Sequence, residues 1–340
     1  MNDRIHLTLD EVHRIATEAL GAQGFSEKHA RAIADTVTAA ERDECASHGL
    51  FRIPFYVKAL LAGNVSPDAE PTFRDLAPAV LQADAHLGFA PLTLQLAADP
   101  LERRARELGI AALAIVNAYN VAALWPEVER LAERGLVAFA FTAAFGYVAP
   151  AGGTRPLYGT NPMAFAWPRA GRPPLVFDQA SSASARGEIQ IHLRDGKPLP
   201  EGWAIGPDGA PTTDPATALA GAQLPFGGHK GAAIALMVEL LAGALVGDVF
   251  SFEASEADTA RVGAPFGGEF MIAIDPARCV GDGDRDAQLA HAEKLFARIL
   301  EQDGTRLPSD RRYRARERTP TEGVTIPKSL HDTLRGYIDN

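Results

Sequence analysis

The chain has 340 residues, 46% hydrophobic and 22% charged, with a formal net charge of −10 at pH 7. That is enough chain for a large core in two domains or one elaborate one, and too acidic a surface for nucleic acid as a partner. Two cysteines, Cys45 and Cys279, exclude a disulfide framework and a four-thiolate zinc site, and an N-terminus without an uninterrupted apolar core points to the cytoplasm.

Helices open the sequence. Thr8 to Glu11 reads as a capping box, in which the hydroxyl and the carboxylate satisfy each other's backbone amides. Ser26 caps a second helix with Ala30, Ile33, Ala34 and Val37 on one face. That helix runs towards Cys45, so His48 falls at or just past its end. From residue 78 short apolar runs bounded by Gly, Pro, Asn or Asp predict strands: IAALAIVN (110–117), LVAFAFTAA (136–144), NPMAFAWP (161–168), PPLVFDQA (173–180) and EFMIAIDP (269–276). Helical patterns at 100–108 and 126–134 lie between some of them. The expected fold is α/β, a mixed sheet layered with helices. A helical region at 1–77 is joined by 315–340, and a mixed α/β domain occupies 78–314. The apolar stretch 231–247 carries Glu239 and is too short to span a bilayer, so a buried core helix is expected and no membrane partner. The acidic run FEASEADTA (252–260) reads as a solvated loop, and 286–302 as a helix.

Several segments carry candidate chemistry. In PFGGHKGAAIALMVELL (225–241), Gly227, Gly228 and Gly231 surround His229 and Lys230 before a helix; glycines allow close approach, and a helix N-terminus suits phosphate. It is neither a Walker loop nor the Rossmann fingerprint, and a plain structural turn is an equal alternative. RLPSDRRY (306–313) gathers Arg306, Arg311 and Arg312, whose forks suit a phosphate such as the 2′-phosphate of NADPH, or form a solvated basic tail. Asp282, Asp284, Asp286 and Glu293 have calcium-loop spacing, but Ala287 stands where the turn needs glycine, so no metal is expected. ECASHGLFR (44–52) sets Ser47, a proton-transferring His48 and a carboxylate-binding Arg52 together, or merely a capping histidine and a surface arginine.

SHGLFRIPFY, YGTNPMAFAWP, FDQASSASARGEI, PLPEGWAIGPDGAPTTDP, LPFGGHKGAAIALMVELLAGALVG and RLPSDRRY together give the chain its resemblance to the type-2 malate/L-lactate dehydrogenases, non-Rossmann NAD(P)H oxidoreductases. Within them it is most similar to the Δ1-piperideine-2-carboxylate/Δ1-pyrroline-2-carboxylate reductases. The resemblance implies reduction of a cyclic imino acid to L-proline or L-pipecolate, with NADPH as cofactor and NADH possible. A 2-oxo acid substrate and a nucleotide-binding protein without catalysis are the alternatives. It implies His48 as the proton donor, Ser47 and Glu188 as its relay, and Arg52 on the substrate carboxylate. Cofactor contacts are implied for Thr160, Asn161, Asp178, Gln179, Ala180, Ser182, His229, Lys230, Arg306, Asp310, Arg311 and Arg312, and a homodimer is expected. Tyr119 and Asn120, counted with the cofactor positions, stand where relatives carry histidines before AALWP, and Val116 replaces an arginine. A protonated imine asks less of an acid than a carbonyl does, so this departure leans towards an imine substrate.

Overall fold

The computed structural model describes residues 3–258, 263–281 and 284–339. In chain order the elements are β1 (Arg4–Leu7), α1 (Leu9–Ala22), α2 (Glu27–Arg42), α3 (Ile53–Leu61), β2 (Thr72–Ala77), β3 (Val80–Asp84), α4 (Ala90–Leu108), β4 (Ile110–Tyr119), α5 (Trp125–Glu133) and β5 (Val137–Thr142). There follow β6 (Met163–Arg169), β7 (Arg172–Gln179), α6 (Arg186–Asp195), β8 (Ala204–Ile205), β9 (Pro211–Thr212), α7 (Pro215–Ala220), β10 (Ala222–Gln223) and α8 (His229–Glu239). The chain closes with α9 (Ser251–Ala257), β11 (Phe266–Ile274), α10 (Arg285–Leu300), α11 (Asp310–Glu322), β12 (Val324–Pro327) and α12 (Lys328–Asp339).

Seven strands form the main sheet in the order β2-β3-β4-β11-β5-β6-β7, with β3 and β4 parallel and the other neighbours antiparallel. It is a mixed sheet, as the strand and helix pattern requires. Successive side chains of a strand face opposite sides, and β4 shows it: Leu113 and Ile115 pack with Leu101, Leu124, Val128 and Leu131 from α4 and α5. Ala114 faces the other way, with Phe141, Phe270 and Val238 of α8. A second core joins the N-terminal helices to the chain's end, through Val12, Ile15, Ile33, Val37, Tyr56, Phe89, Ile326 and Leu334.

The capping signals act as read. Thr8 Oγ1 accepts from Glu11 N at 3.2 Å while Glu11 Oε2 accepts from Thr8 N at 2.8 Å. Ser26 accepts from His29 N, and Asp284 accepts from Ala287 N at 2.8 Å to cap α10. Asp282 lies outside the described residues.

Three expectations are corrected. Strand β2 pairs with β3, so the sheet begins at Thr72, ahead of the boundary expected at 78. Ser251–Ala257 is a helix rather than a loop, because Glu253 Oε2 accepts from Phe250 N at 2.8 Å and anchors its first turn. Helix α8 and the π turn after it, Leu240–Ala244, bury one face only. Ala235, Val238 and Ala242 are covered, while Leu236, Met237, Leu240 and Leu245 remain exposed, because the helix lies on the outside of the sheet.

The two ends of the chain meet. β1 pairs antiparallel with β12, and α11 is fastened to α2 and α5 by one arginine. The Arg316 guanidinium gives Nε and Nη2 to the two oxygens of Asp43 at 2.7 and 2.6 Å. It also gives Nη1 and Nη2 to those of Glu129 at 2.9 and 2.7 Å. Burial alone would raise the Asp43 carboxyl; hydrogen bonds and charge from Arg316 and Arg42 hold it below its ordinary value instead. Two forks on one guanidinium fix geometry that an ammonium would not. Asp43 is 0% exposed, so removing the arginine takes the main cationic partner from two carboxylates in the interior. Arg316→Ala should therefore lower the unfolding free energy by about 3–5 kcal/mol in denaturant titration.

Candidate active site

The SHGLFR segment makes two consecutive 3₁₀ turns, Ala46–His48 and Leu50–Arg52, between α2 and α3. A carboxylate from α2 holds them: Glu41 Oε1 accepts from Leu50 N at 2.8 Å. Glycine follows His48 because of it, since a Cβ on Gly49 would stand 2.1 Å from that oxygen. Burial pushes Glu41 up to about 6, partly offset by the Leu50 amide. Ser47 Oγ lies 3.1 Å from His48 Nδ1; when the hydroxyl donates, the ring proton sits on Nε2. Arg52 Nε donates to Ser47 O at 2.7 Å, which holds the guanidinium near enough to the imidazole for its charge to be felt. His48 and Arg52 are both half-buried. Burial, with the Arg52 charge added, lowers His48 to about 3.

The wall beside His48 is Trp125 at the start of α5. The imidazole meets its ring edge-on at 6.4 Å between centroids, and Arg312 lies 5.0 Å from its centroid. Trp125 Nε1 donates to Asp43 Oδ2 at 3.0 Å, so the Arg316 cluster also orients the indole. Arg312 is placed by its turn: Ser309 Oγ accepts from Val176 N at 2.9 Å, and Arg312 Nη2 donates to Val176 O at 3.0 Å. Asp178, at the end of the same strand, accepts from Leu124 N and Trp125 N at 2.9 and 3.2 Å. It thus caps α5, and burial pushes its carboxyl up against those amides and the charge of Arg312.

Beyond Asp178 the glycine-rich segments join. Ser181 N donates to Thr160 O at 2.7 Å, and Phe226 N to Ser181 O at 3.1 Å. Gly227 and Gly228 have φ of +56° and +64° with open space where a side chain would stand, and Gly231 is required because a Cβ would lie 2.2 Å from Phe226 O. Helix α8 starts at Gly228 without a side-chain cap, leaving free amides beside exposed His229 and Lys230. Gln179, Arg306 and Arg311 are exposed, and Ala180 half-buried. Unpaired amides and cations are the donor set for a dinucleotide's phosphates, so these residues fit such a cofactor.

Other sequence candidates are occupied structurally. Asn161 is 0% exposed; its amide donates to Glu239 Oε1 and Ala235 O at 2.8 and 2.9 Å, so its side chain ties loop to helix. Ser182 Oγ donates to Ser184 O at 2.6 Å, and Asp310 accepts from Leu307 N at 2.9 Å to close its turn. Tyr119 packs against Phe89 and Phe266. Glu188 is not brought to the imidazole: it faces His192 one turn along α6 at 3.8 Å, and among the described residues it makes no hydrogen bond to His48 or Ser47.

Two further carboxyls, Glu127 and Glu269, have buried oxygens away from the SHGLFR turn's own hydrogen bonds. Asn120 Nδ2 donates to Glu269 Oε2 at 3.0 Å, and Asn120 Oδ1 accepts from Ala122 N at 2.9 Å. Glu269 Oε1 and Glu127 Oε2 are buried without a partner. Burial pushes both carboxyls up, and for Glu127 the charge of Glu269 adds to it. An acid inside the apolar strand GGEFMIAI was the available sequence signal. Tyr56, fully buried beside them, feels both Arg52 and Glu127 and is pushed up by burial.

The fold and this recess define an oxidoreductase. Residues 7–335 match the sequence family described as malate/L-lactate dehydrogenase, and the chain belongs to that family. It is 52% identical, over 98% of its length and 100% of the relative's, to the Δ1-pyrroline-2-carboxylate/Δ1-piperideine-2-carboxylate reductase of Pseudomonas aeruginosa. A (2R)-3-sulfolactate dehydrogenase (NADP(+)) of Chromohalobacter salexigens is 43% identical over 97% of both chains. The crystal structure of Δ1-piperideine-2-carboxylate reductase from Pseudomonas syringae pv. tomato superposes with a TM-score of 0.91 at 39% identity, covering 98% of this chain and 99% of that one. Among the described residues no helix is long and apolar enough to cross a membrane.

An imidazole kept neutral by burial takes up a proton only well below the range in which the unfolded chain's imidazole does. The His48 resonance, followed by NMR in the free protein, should stay neutral from pH 8 to below pH 5. Stability falls on acidification through the unfolded value near 6.5 towards 3, because only the unfolded chain takes up that proton. A midpoint near 6.5 in the folded protein contradicts this.

Proposed function

We propose that the protein reduces a cyclic imino acid, Δ1-pyrroline-2-carboxylate or Δ1-piperideine-2-carboxylate, to L-proline or L-pipecolate with NADPH. The observation that supports the reading is the placing of Arg52 next to His48, with its Nε held on Ser47 O and its charge felt by the imidazole. The 52% identity to a reductase of that name supports the substrate. Arg52 takes the carboxylate through two parallel hydrogen bonds. The reduced nicotinamide supplies hydride to the C=N carbon. The π pair moves to nitrogen, and His48 supplies or stabilises the proton there, with Ser47 Oγ fixing which ring nitrogen faces the substrate. A carboxylate on Arg52 cancels the charge that helps to depress His48, so substrate itself brings the imidazole closer to the range where it transfers protons.

The same recess accepts a 2-oxo acid, and the relationship to a sulfolactate dehydrogenase favours that as the second reading. Exposed Lys230, Arg306 and Arg311 support NADPH over NADH, since a 2′-phosphate rewards added cations. The exposed strip Leu236, Met237, Leu240 and Leu245 suits a homodimer contact. Free thiols at Cys45 and Cys279 suit a cytoplasmic enzyme.

General acid help is worth about 10²–10⁴ in rate. His48→Ala should lower kcat for imine reduction by about that factor while the dissociation constant for NADPH, from fluorescence titration, stays within about twofold. Arg52→Lys loses the bidentate grip and should raise KM by about tenfold or more. Unchanged kinetics in both variants would remove the proposed roles.

A further inference from the structure

We propose that Glu239, the last residue of α8, is a positioning residue for the cofactor: its two oxygens gather three segments and hold the Thr160–Asn161 turn, Ser181 and the start of α8 in one arrangement. The proposal rests on the NADPH reading and names the group that arranges the residues assigned to it. Glu239 is 4% exposed. Its Oε1 accepts from Gly159 N at 3.1 Å and from Asn161 Nδ2 at 2.8 Å. Its Oε2 accepts from Ser251 N, at the start of α9, at 2.9 Å.

From there the bonds run back to the other end of the same helix. Ser181 Oγ donates to Asn161 O at 2.7 Å, and Ser181 N donates to Thr160 O at 2.7 Å. Phe226 N, just ahead of the glycines that open α8, donates to Ser181 O at 3.1 Å. Glu239 thus closes a ring of hydrogen bonds through Asn161, Ser181 and Phe226 that ties both ends of α8 to the segments bearing Thr160 and Ser182. Asn161 shows the constraint. Its φ of +39° is in the left-handed region, which asparagine tolerates better than most side chains but still at a cost. Bonds to Glu239, Ala235 O and Ser251 Oγ hold it there. Gly159 has no room for a side chain, since a Cβ would stand 2.3 Å from Asn161 Oδ1 and 2.6 Å from Ser251 Oγ.

This arrangement requires a carboxylate. All three groups on Glu239 are N–H donors, and an ionised carboxylate only accepts. A glutamine offers one oxygen and one NH2, so in either orientation it sets N–H against N–H, at Ser251 or at Gly159 and Asn161. Asn161 cannot turn its amide over to compensate, because Nδ2 also donates to Ala235 O at 2.9 Å and Oδ1 accepts from Ser251 Oγ at 3.2 Å. Once the ring is loosened, the cofactor must order the segments itself, and its binding weakens. The bonds that hold the SHGLFR turn, from Glu41, Ser47 and Arg52, include none of these groups.

Calorimetric titration of the purified protein with NADPH tests the role. Glu239→Gln should raise the dissociation constant about tenfold or more, and Ser181→Ala, which removes one link and keeps the carboxylate, about threefold or more. In kinetics the KM for NADPH should rise in step, while kcat at saturating NADPH and the KM for the imine change by less than about threefold. A protein that is merely destabilised has fewer sites rather than weaker ones, and calorimetry counts the sites separately. If Glu239→Gln gives no folded protein, Ser181→Ala decides. Variants that bind NADPH as wild type does overturn the role of Glu239, and so does a loss spread equally over kcat and both KM values. Wild type that binds no NADPH overturns the cofactor reading itself, and the proposal with it.

Discussion

The double fork of Arg316 on Asp43 and Glu129 is the constraint on which the site depends. It ties a C-terminal helix to the end of α2 and to the first turns of α5. Asp43 then anchors the indole of Trp125, against which His48 and Arg312 are both set. The SHGLFR turn, from the N-terminal region, and Arg312, from the C-terminal region, meet at this indole, and the pair of salt bridges helps to close the chain on itself there. Tyr313 adds a donor to Glu129 at 2.8 Å. A cluster satisfied in this way specifies one geometry, which is what buried ion pairs contribute best.

Around it several polar groups are held in dry surroundings by specific partners. Glu41 is spent on the Leu50 amide and Asp178 on the start of α5. Arg52 is oriented by a backbone carbonyl without losing its terminal nitrogens. The start of α8 has no side-chain cap, and Arg312 Nε is buried without a partner. Strong electrostatics of this kind act in a preorganised, low-dielectric recess and need no rearrangement when the reaction occurs.

Much of this was legible in the sequence, because it is encoded locally. Thr8, Glu11 and Ser26 announce their caps, and the strands from 110 to 179 announce themselves by branched and aromatic runs between breakers. The SHGLFR turn and the GGHKG helix start could be placed for the same reason. What could not be read depends on long-range pairing. β11 inserts between β4 and β5, which carries Glu269 to Asn120, and no local pattern announces a partner so distant in sequence. The resemblance alone set Glu188 in the relay; on α6 it faces His192 one turn along instead. Asn161 looked like a ligand-facing amide, yet the Glu239 carboxylate behind it absorbs its hydrogen bonds. Helix α8 is apolar on both faces, so composition alone could not tell covered from exposed.

The most direct measurement of the central claim is the loss of NADPH absorbance by the purified protein with Δ1-pyrroline-2-carboxylate and Δ1-piperideine-2-carboxylate, beside pyruvate and oxaloacetate. An imidazole held neutral beside Arg52 predicts turnover of the cyclic imines, which can enter already protonated, and little of the oxo acids. Turnover confined to the oxo acids would contradict it, and would mean that another group supplies the acid a carbonyl needs.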